Sequence, residues 1–202
     1  MIGAIASEWI PPILTLALTG LRAGELLALR WKDVDLLSKR ISIRHSLWRR
    51  QIFEPKTEES IRDLMMPDVL VQILMKHHSG SQFTAPDDFV FCQADGRPTD
   101  PDSLRRLGIY PALERAGVTF KKRASGCHAF RHLAASIIHK ETGSLKLAQT
   151  QLGHSTISTT SDIYTHVEEE ELERTASVLG QALAPNVVEM LYETENSTET
   201  IQ

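Results

Sequence analysis

A chain of 202 residues with 42% hydrophobic and 24% charged side chains fits one globular domain, or one domain with a tail. No stretch approaches the ~18–20 apolar residues that cross a bilayer, and two cysteines, Cys92 and Cys127, exclude a disulfide framework and a cysteine-based zinc site. The net charge of −4 argues against a nucleic-acid partner only on average: residues 1–167 hold 21 Lys and Arg against 17 Asp and Glu, and the deficit lies beyond them.

The N-terminus is apolar but contains Glu8 and lacks a basic leader, so it reads as a buried helix rather than a signal peptide. "SEWIPPILTLALTGLRAGELLALRW" (7–31) predicts two helices broken at "TG", with Leu14, Leu18 and Leu21 in helical period and proline in the first turn. "KDVDLLSKR" reads as a polar turn. The period then changes to that of a strand: in "RISIRHSLW" apolar residues at 41, 43 and 47 alternate with polar ones. Further strands are expected at 50–54 and 61–66, with the polar loop "EPKTEES" between them. Helices resume over 68–78, over 101–118 with a break at Pro111, and over 128–141, 145–153 and "STTSDIYTHV". The last helix, 168–183, carries acidic residues in its first turn, where the helix dipole favours them. The end, "ETENSTETIQ", reads as disordered. The fold class expected is mainly α with a small three-stranded antiparallel β-sheet.

Several residue groups carry chemistry. Arg22 opens a helix after a glycine-containing break, where Gly20 and Gly24 allow a ligand to approach the backbone; the plain alternative is an exposed helix-start arginine. "HAFRH" sets His128 and Arg131 at i, i+3 on one helical face, two donors suited to a phosphate. His128 with His132 has zinc-protease spacing, but the glutamate of HExxH is missing and no third ligand is evident. For His132 the reading is a satisfied structural histidine. "LGHS" places His154 at a turn, with Tyr164 ten residues on. Two arginines, two histidines and a tyrosine suggest phosphoryl transfer to a phenol. With a pKa of about 10, that phenol needs cationic neighbours or a base to react at neutral pH. No acidic cluster of magnesium-site character appears, so a mechanism without metal or cofactor is expected. Basic clusters at 40–50 and 121–132 permit a DNA-binding face, with an ordinary mixed surface as the alternative.

These stretches resemble the catalytic domain of the tyrosine recombinases, the phage-integrase family. "TGLRAGELLALRWKDVD", "PKTEESIRDLMMP", "HAFRH", "LGHSTISTT" and "YTHV" occur in the family's order, from Thr19 to Val167. The resemblance implies the tyrosine recombinase catalytic-domain fold and six catalytic residues: Arg22, Lys56, His128, Arg131, His154 and the nucleophile Tyr164. Glu25 matches an acidic position that supports the site. Phe130 replaces the commoner Leu of "HxLRH". Only 21 residues precede Arg22, so the family's N-terminal DNA clamp is expected to be missing, leaving residues 1–183 as the catalytic domain and 184–202 as a tail.

The resemblance further implies double-stranded DNA as partner, no membrane, a cytoplasmic location, and a monomer that becomes a tetramer on DNA through the C-terminal helix. Leu172, Ala176, Leu179 and Leu183 line one side of that helix, and packing on its own domain is the competing expectation. Two rival functions are a type IB topoisomerase, which shares the chemistry, and a DNA-binding accessory or integrase remnant that does not cut.

Overall fold

The computed structural model describes residues 7–54, 61–115, 126–153 and 172–183. Lys56, His154, Tyr164, the "STTSDIYTHV" segment, the acidic residues 168–171 and the tail from 184 lie outside the described residues.

Helix α1 (Ile10–Thr19) begins with Pro11 and Pro12 in its first turn, where no intrahelical N–H is needed, and ends at Gly20 in the left-handed conformation. It is buried nearly all round: Leu16 and Leu18 are fully covered, and the hydroxyls of Thr15 and Thr19 are satisfied by the carbonyls four residues back. A helix apolar on every face belongs in a core, and the helices over Asp68–Gly80 and Cys127–Thr142 pack against it. Helix α2 is short (Ala23–Leu27) and is followed by a 3-10 turn (Trp31–Asp33).

The small three-stranded antiparallel sheet is present, but its strands differ from those expected. It runs β1 (Val34–Asp35), β2 (Arg40–Ile43), β5 (Arg62–Met65), in that spatial order. The segment read as a polar turn supplies β1, because Asp35 accepts the N–H groups of Leu37 and Ser38 and closes a tight connection back to β2. The run 40–48 does not stay in one strand. It breaks after Ile43, and β3 (Ser46–Trp48) pairs with β4 (Gln51–Phe53) as a separate hairpin turning at Arg49 and Arg50. In the main sheet, Ile41 faces Leu64 and Ile43 faces Arg62. Directly opposed residues share a face, so Arg62 sits on the inner face with Ile41, Ile43 and Leu64, all three fully buried.

Helix α3 (Asp68–Gly80) buries Leu70, Val71, Ile73 and Leu74. The next helical segment runs through Pro111 without the expected break. Between α4 (Pro101–Ser103) and α5 (Tyr110–Arg115) the turns widen to a π-helix over Leu104–Ile109, and the Tyr110 N–H reaches back five residues to Arg105. A widened turn relieves the clash that a proline ring makes with the carbonyl four residues before it.

Helix α6 (Cys127–Thr142) buries Cys127, Arg131, Ala134 and Ile138, one continuous stripe at helical spacing. Helix α7 (Leu145–Leu152) is N-capped by the Ser144 side chain and ends at Gly153 in the left-handed region. The last helix, α8 (172–183), packs on its own domain. Leu179 is fully buried among Ala134, Ile138, Leu147 and Ala148, and a side chain on Gly180 would collide with Pro67. Both cysteines are free. Among the described residues no helix is long and apolar enough to cross a membrane.

Candidate active site

Three arginines from three different elements meet at the C-terminal end of α7. The last carbonyls of a helix have no partner within it and carry the negative end of its dipole, so they invite cationic donors. Here three successive carbonyls are each taken by a guanidinium. Arg62 of β5 donates through Nε to Gln151 at 3.3 Å, Arg131 of α6 through Nη2 to Leu152, and Arg22 at the start of α2 through Nη2 to Gly153 at 3.2 Å. Arg131 also donates through Nη1 to the Gly20 carbonyl at 3.0 Å, and Gln151 donates to the Thr19 carbonyl. The end of α7 is thereby tied to the α1–α2 junction from both sides.

Glu25 organises the cationic groups. It lies in the first turn of α2 and reaches back to accept the Arg22 N–H at 2.9 Å, as the acidic member of a capping box does. Its other oxygen accepts from Arg22 Nη1 at 2.7 Å, and Arg62 grips both carboxylate oxygens at 3.0 and 3.3 Å. Burial works to raise the Glu25 carboxyl, but the hydrogen bond and charge of Arg62 and the contacts with Arg22 override it and hold it below the ordinary value. Burial, with Arg22 nearby, pulls Arg131 down to about 10, so it remains a cation at neutral pH. Three guanidinium groups against one carboxylate leave a surplus of positive charge.

Exposure separates the two arginines expected to act alike. The Arg22 side chain is 40% exposed, whereas Arg131 is 2% exposed on the buried stripe of α6. His128 does not share Arg131's burial: it stands exposed at the rim of the site. Burial first, then the charges of His132, Arg131 and Arg22, lower its pKa, which favours the neutral imidazole at pH 7. His132 was read as a satisfied structural histidine. It too is exposed, and its ring meets that of His128 edge-on at 5.2 Å. Among the described residues no group of three His, Cys, Asp or Glu side chains is placed to hold a metal ion. Phe130 is half-buried against the main core, as a substitute for leucine should be.

Gly20 and Gly24 serve protein packing rather than a ligand. A β-carbon on Gly20, whose φ is +69°, would lie 2.5 Å from the Leu152 side chain, and one on Gly24 would lie 2.7 Å from the Leu47 carbonyl. Of the expected catalytic residues, the structure brings together Arg22, His128 and Arg131, with Glu25 beside them. Lys56, His154 and Tyr164 fall outside the described residues, although His154 follows directly on the Gly153 turn. Arg62 was not foreseen. Its signal was the alternation of β5, which puts it in phase with Leu64 and therefore facing inward, where a charge needs a buried partner.

The structure thus sets a small antiparallel sheet beside a mainly helical core, with Arg22 and Arg131 converging on one helix end. The chain matches the model of the phage integrase family over residues 8–171, and it belongs to that family. It is 32% identical over 173 residues to a XerC-like tyrosine recombinase of Caldanaerobacter subterraneus, an alignment covering 74% of this chain and 43% of that protein. It is 31% identical over 167 residues to the integrase of Staphylococcus phage L54a, covering 76% of this chain and 46% of the other. The chain thus spans about half the length of the curated relatives it matches. Among solved structures, the Tn1549 transposon integrase bound to circular intermediate DNA superposes with a TM-score of 0.64 at 24% identity, covering 82% of this chain and 57% of that one. The XerA recombinase gives 0.60 at 25% identity, covering 85% and 57%.

Proposed function

We propose that this chain is the catalytic domain of a site-specific tyrosine recombinase acting on double-stranded DNA. The observation that carries this reading is the convergence of Arg22 and Arg131 on the adjacent carbonyls of Gly153 and Leu152, at the turn that leads into His154. Membership of the phage integrase family supports it, as do relatives named as recombinases and integrases.

Tyr164 attacks a DNA phosphodiester, forming a bond from its phenol oxygen to phosphorus. The bond to the 5′-oxygen breaks, leaving a 3′-phosphotyrosine and a free 5′-hydroxyl. Arg22 and Arg131 bind the non-bridging oxygens and offset the charge that builds on phosphorus, the dominant need in phosphoryl transfer. His154 adds a hydrogen bond to the same oxygens. His128, favoured in its neutral form, accepts the phenol proton, and Lys56 supplies a proton to the departing 5′-oxygen, a far poorer leaving group than a phenol. Because a phenolate leaves readily, a 5′-hydroxyl of another strand can attack the phosphotyrosine and reverse the step without ATP or metal. The reaction belongs in the cytoplasm, and residues 1–183 form its catalytic unit. On paired DNA sites the chain works as a tetramer, with α8 moving from its own domain to a neighbour.

A nicked duplex that loses the 5′-hydroxyl strand after cleavage tests the reading. A covalent protein–DNA adduct that vanishes in Tyr164→Phe supports it. A band shift with no adduct refutes cleavage and leaves a DNA-binding module. Relaxation of supercoiled plasmid carrying no recombination site would instead make the chain a topoisomerase.

A further inference from the structure

Arg62 is 9% exposed along its side chain and its guanidinium is shared between Glu25 and the Gln151 carbonyl. It also lies flat against the α7 terminus: a β-carbon on Gly153 would sit 2.9–3.1 Å from its Nη1, Cζ and Nε atoms. The charges around Glu25 give this placement a consequence. Arg22 and Glu25 alone sum to zero, and a buried carboxylate with a single partner would hold that partner fully neutralised. With Arg62 as a second partner, the trio carries a net positive charge, and the one member exposed to solvent is Arg22, 40% open. A group that must attract a phosphate monoanion cannot at the same time be the sole counter-ion of a buried carboxylate.

We infer that Arg62 is a positioning residue of this active site: it is the counter-ion of Glu25 that leaves Arg22 a net cation towards phosphate. The assignment rests on the recombinase reading only in naming a DNA phosphate as the group that Arg22 meets.

The test uses Arg62→Gln, Arg62→Lys and the double variant Glu25→Gln with Arg62→Gln, each checked by thermal unfolding. Two quantities are measured: affinity for inorganic phosphate, followed through the arginine Nε–H resonances, and the rate of covalent adduct formation on the nicked duplex. Arg62→Gln should weaken phosphate binding by about tenfold, the effect of one nearby uncompensated charge in a partly screened site. Adduct formation should slow by about a hundredfold, as for loss of one oxyanion donor. Arg62→Lys, which keeps the charge, should recover most of both. The double variant should also recover much of both, because the carboxylate that needed a counter-ion is gone.

A purely structural arginine predicts the reverse for the double variant, which has lost every bond of the ion pair and should be no better than the single one. That result, or wild-type phosphate affinity in Arg62→Gln, overturns the assignment. If Arg62→Gln does not fold, the comparison of wild type, Arg62→Lys and the double variant decides. If phosphate binding follows the expected ranking but wild type forms no adduct, the recombinase reading falls and the role of Arg62 stands.

Discussion

Arg131 donates to the carbonyl of Gly20 at 3.0 Å across 111 positions of sequence, so a residue assigned to catalysis also joins α6 to the α1–α2 junction. Its double duty alters how it can be tested. Arg131→Ala removes a buried guanidinium and leaves the Gly20 and Leu152 carbonyls short of a donor, at a cost of about 2–5 kcal/mol. Inactivity of that variant would report lost folding as much as lost chemistry. Arg131→Lys keeps a charge and one donor group. It should unfold within a few degrees of wild type yet form the covalent adduct at least ~10²-fold more slowly, because a point charge cannot grip two oxygens as a planar fork does. Adduct formation at the wild-type rate in a folded Arg131→Lys removes Arg131 from the phosphate.

His128 should titrate below the ordinary histidine value of about 6.5. Burial lowers it first, and the charges of His132, Arg131 and Arg22 act in the same direction. A base with a lowered pKa stays neutral, and so able to accept the phenol proton, further into acid. The acid limb of adduct formation should therefore lie below pH 6.5. In His132→Gln one of the repelling neighbours is gone, and both the imidazole resonance of His128 and the acid limb should move upward together. An imidazole midpoint at or above 6.5 in wild type contradicts the electrostatics described, and a limb that ignores His132→Gln separates His128 from the rate.

Much of this site was legible because its parts are local. Arg22 and Glu25 sit three residues apart at a helix start, where an acid at the third position is bound to reach back. His128 and Arg131 are spaced by one helical turn, but spacing alone does not say which way the face looks. The stripe Cys127, Ala134, Ile138 contains Arg131 and marks it as inward-facing, a reading that an arginine discourages. The sheet was harder. A two-residue strand such as β1 has no room to show alternation. The β3–β4 hairpin turns at Arg49 and Arg50, both at positive φ, with none of the Gly or Asn that usually mark such a turn. At Pro111 the expected break became a π-widened stretch upstream, which takes the proline into a continuous helical run. The convergence of Arg22, Arg62 and Arg131 on three successive carbonyls is a tertiary fact that no local pattern encodes.

Helix α8 should contribute to the stability of its own domain. Leu179 is fully buried in a small cluster with Ala134, Ile138, Leu147 and Ala148, and truncating such a leucine costs about 2–5 kcal/mol through lost transfer energy and the cavity left behind. Leu179→Ala should lower the urea midpoint by a corresponding amount with an unchanged denaturant slope. The wild-type chain should elute as a monomer without DNA. An unaltered midpoint would refute that contribution, and a wild-type dimer that Leu179→Ala dissociates would mean that α8 is held by a second copy instead of by its own domain.

The assignment of Lys56 as the acid can be separated from the clamp role of Arg22 by changing the leaving atom. Replacing the 5′-bridging oxygen at the cleaved phosphate with sulfur turns the leaving group into a thiolate, with a pKa far below that of an alcohol, which departs without being protonated. A variant lacking only the acid then loses little, whereas a variant lacking a donor to the non-bridging oxygens still faces the charge on phosphorus. Lys56→Ala should therefore be nearly inactive on the ordinary nicked duplex and recover to within about tenfold of wild type on the sulfur-substituted one. Arg22→Ala should be inactive on both, since the arginine that Glu25 and Gly153 hold in place acts on oxygens that the substitution leaves untouched. Equal rescue of the two variants would place Arg22 near the leaving group, and no rescue of Lys56→Ala would take the lysine out of the proton transfer.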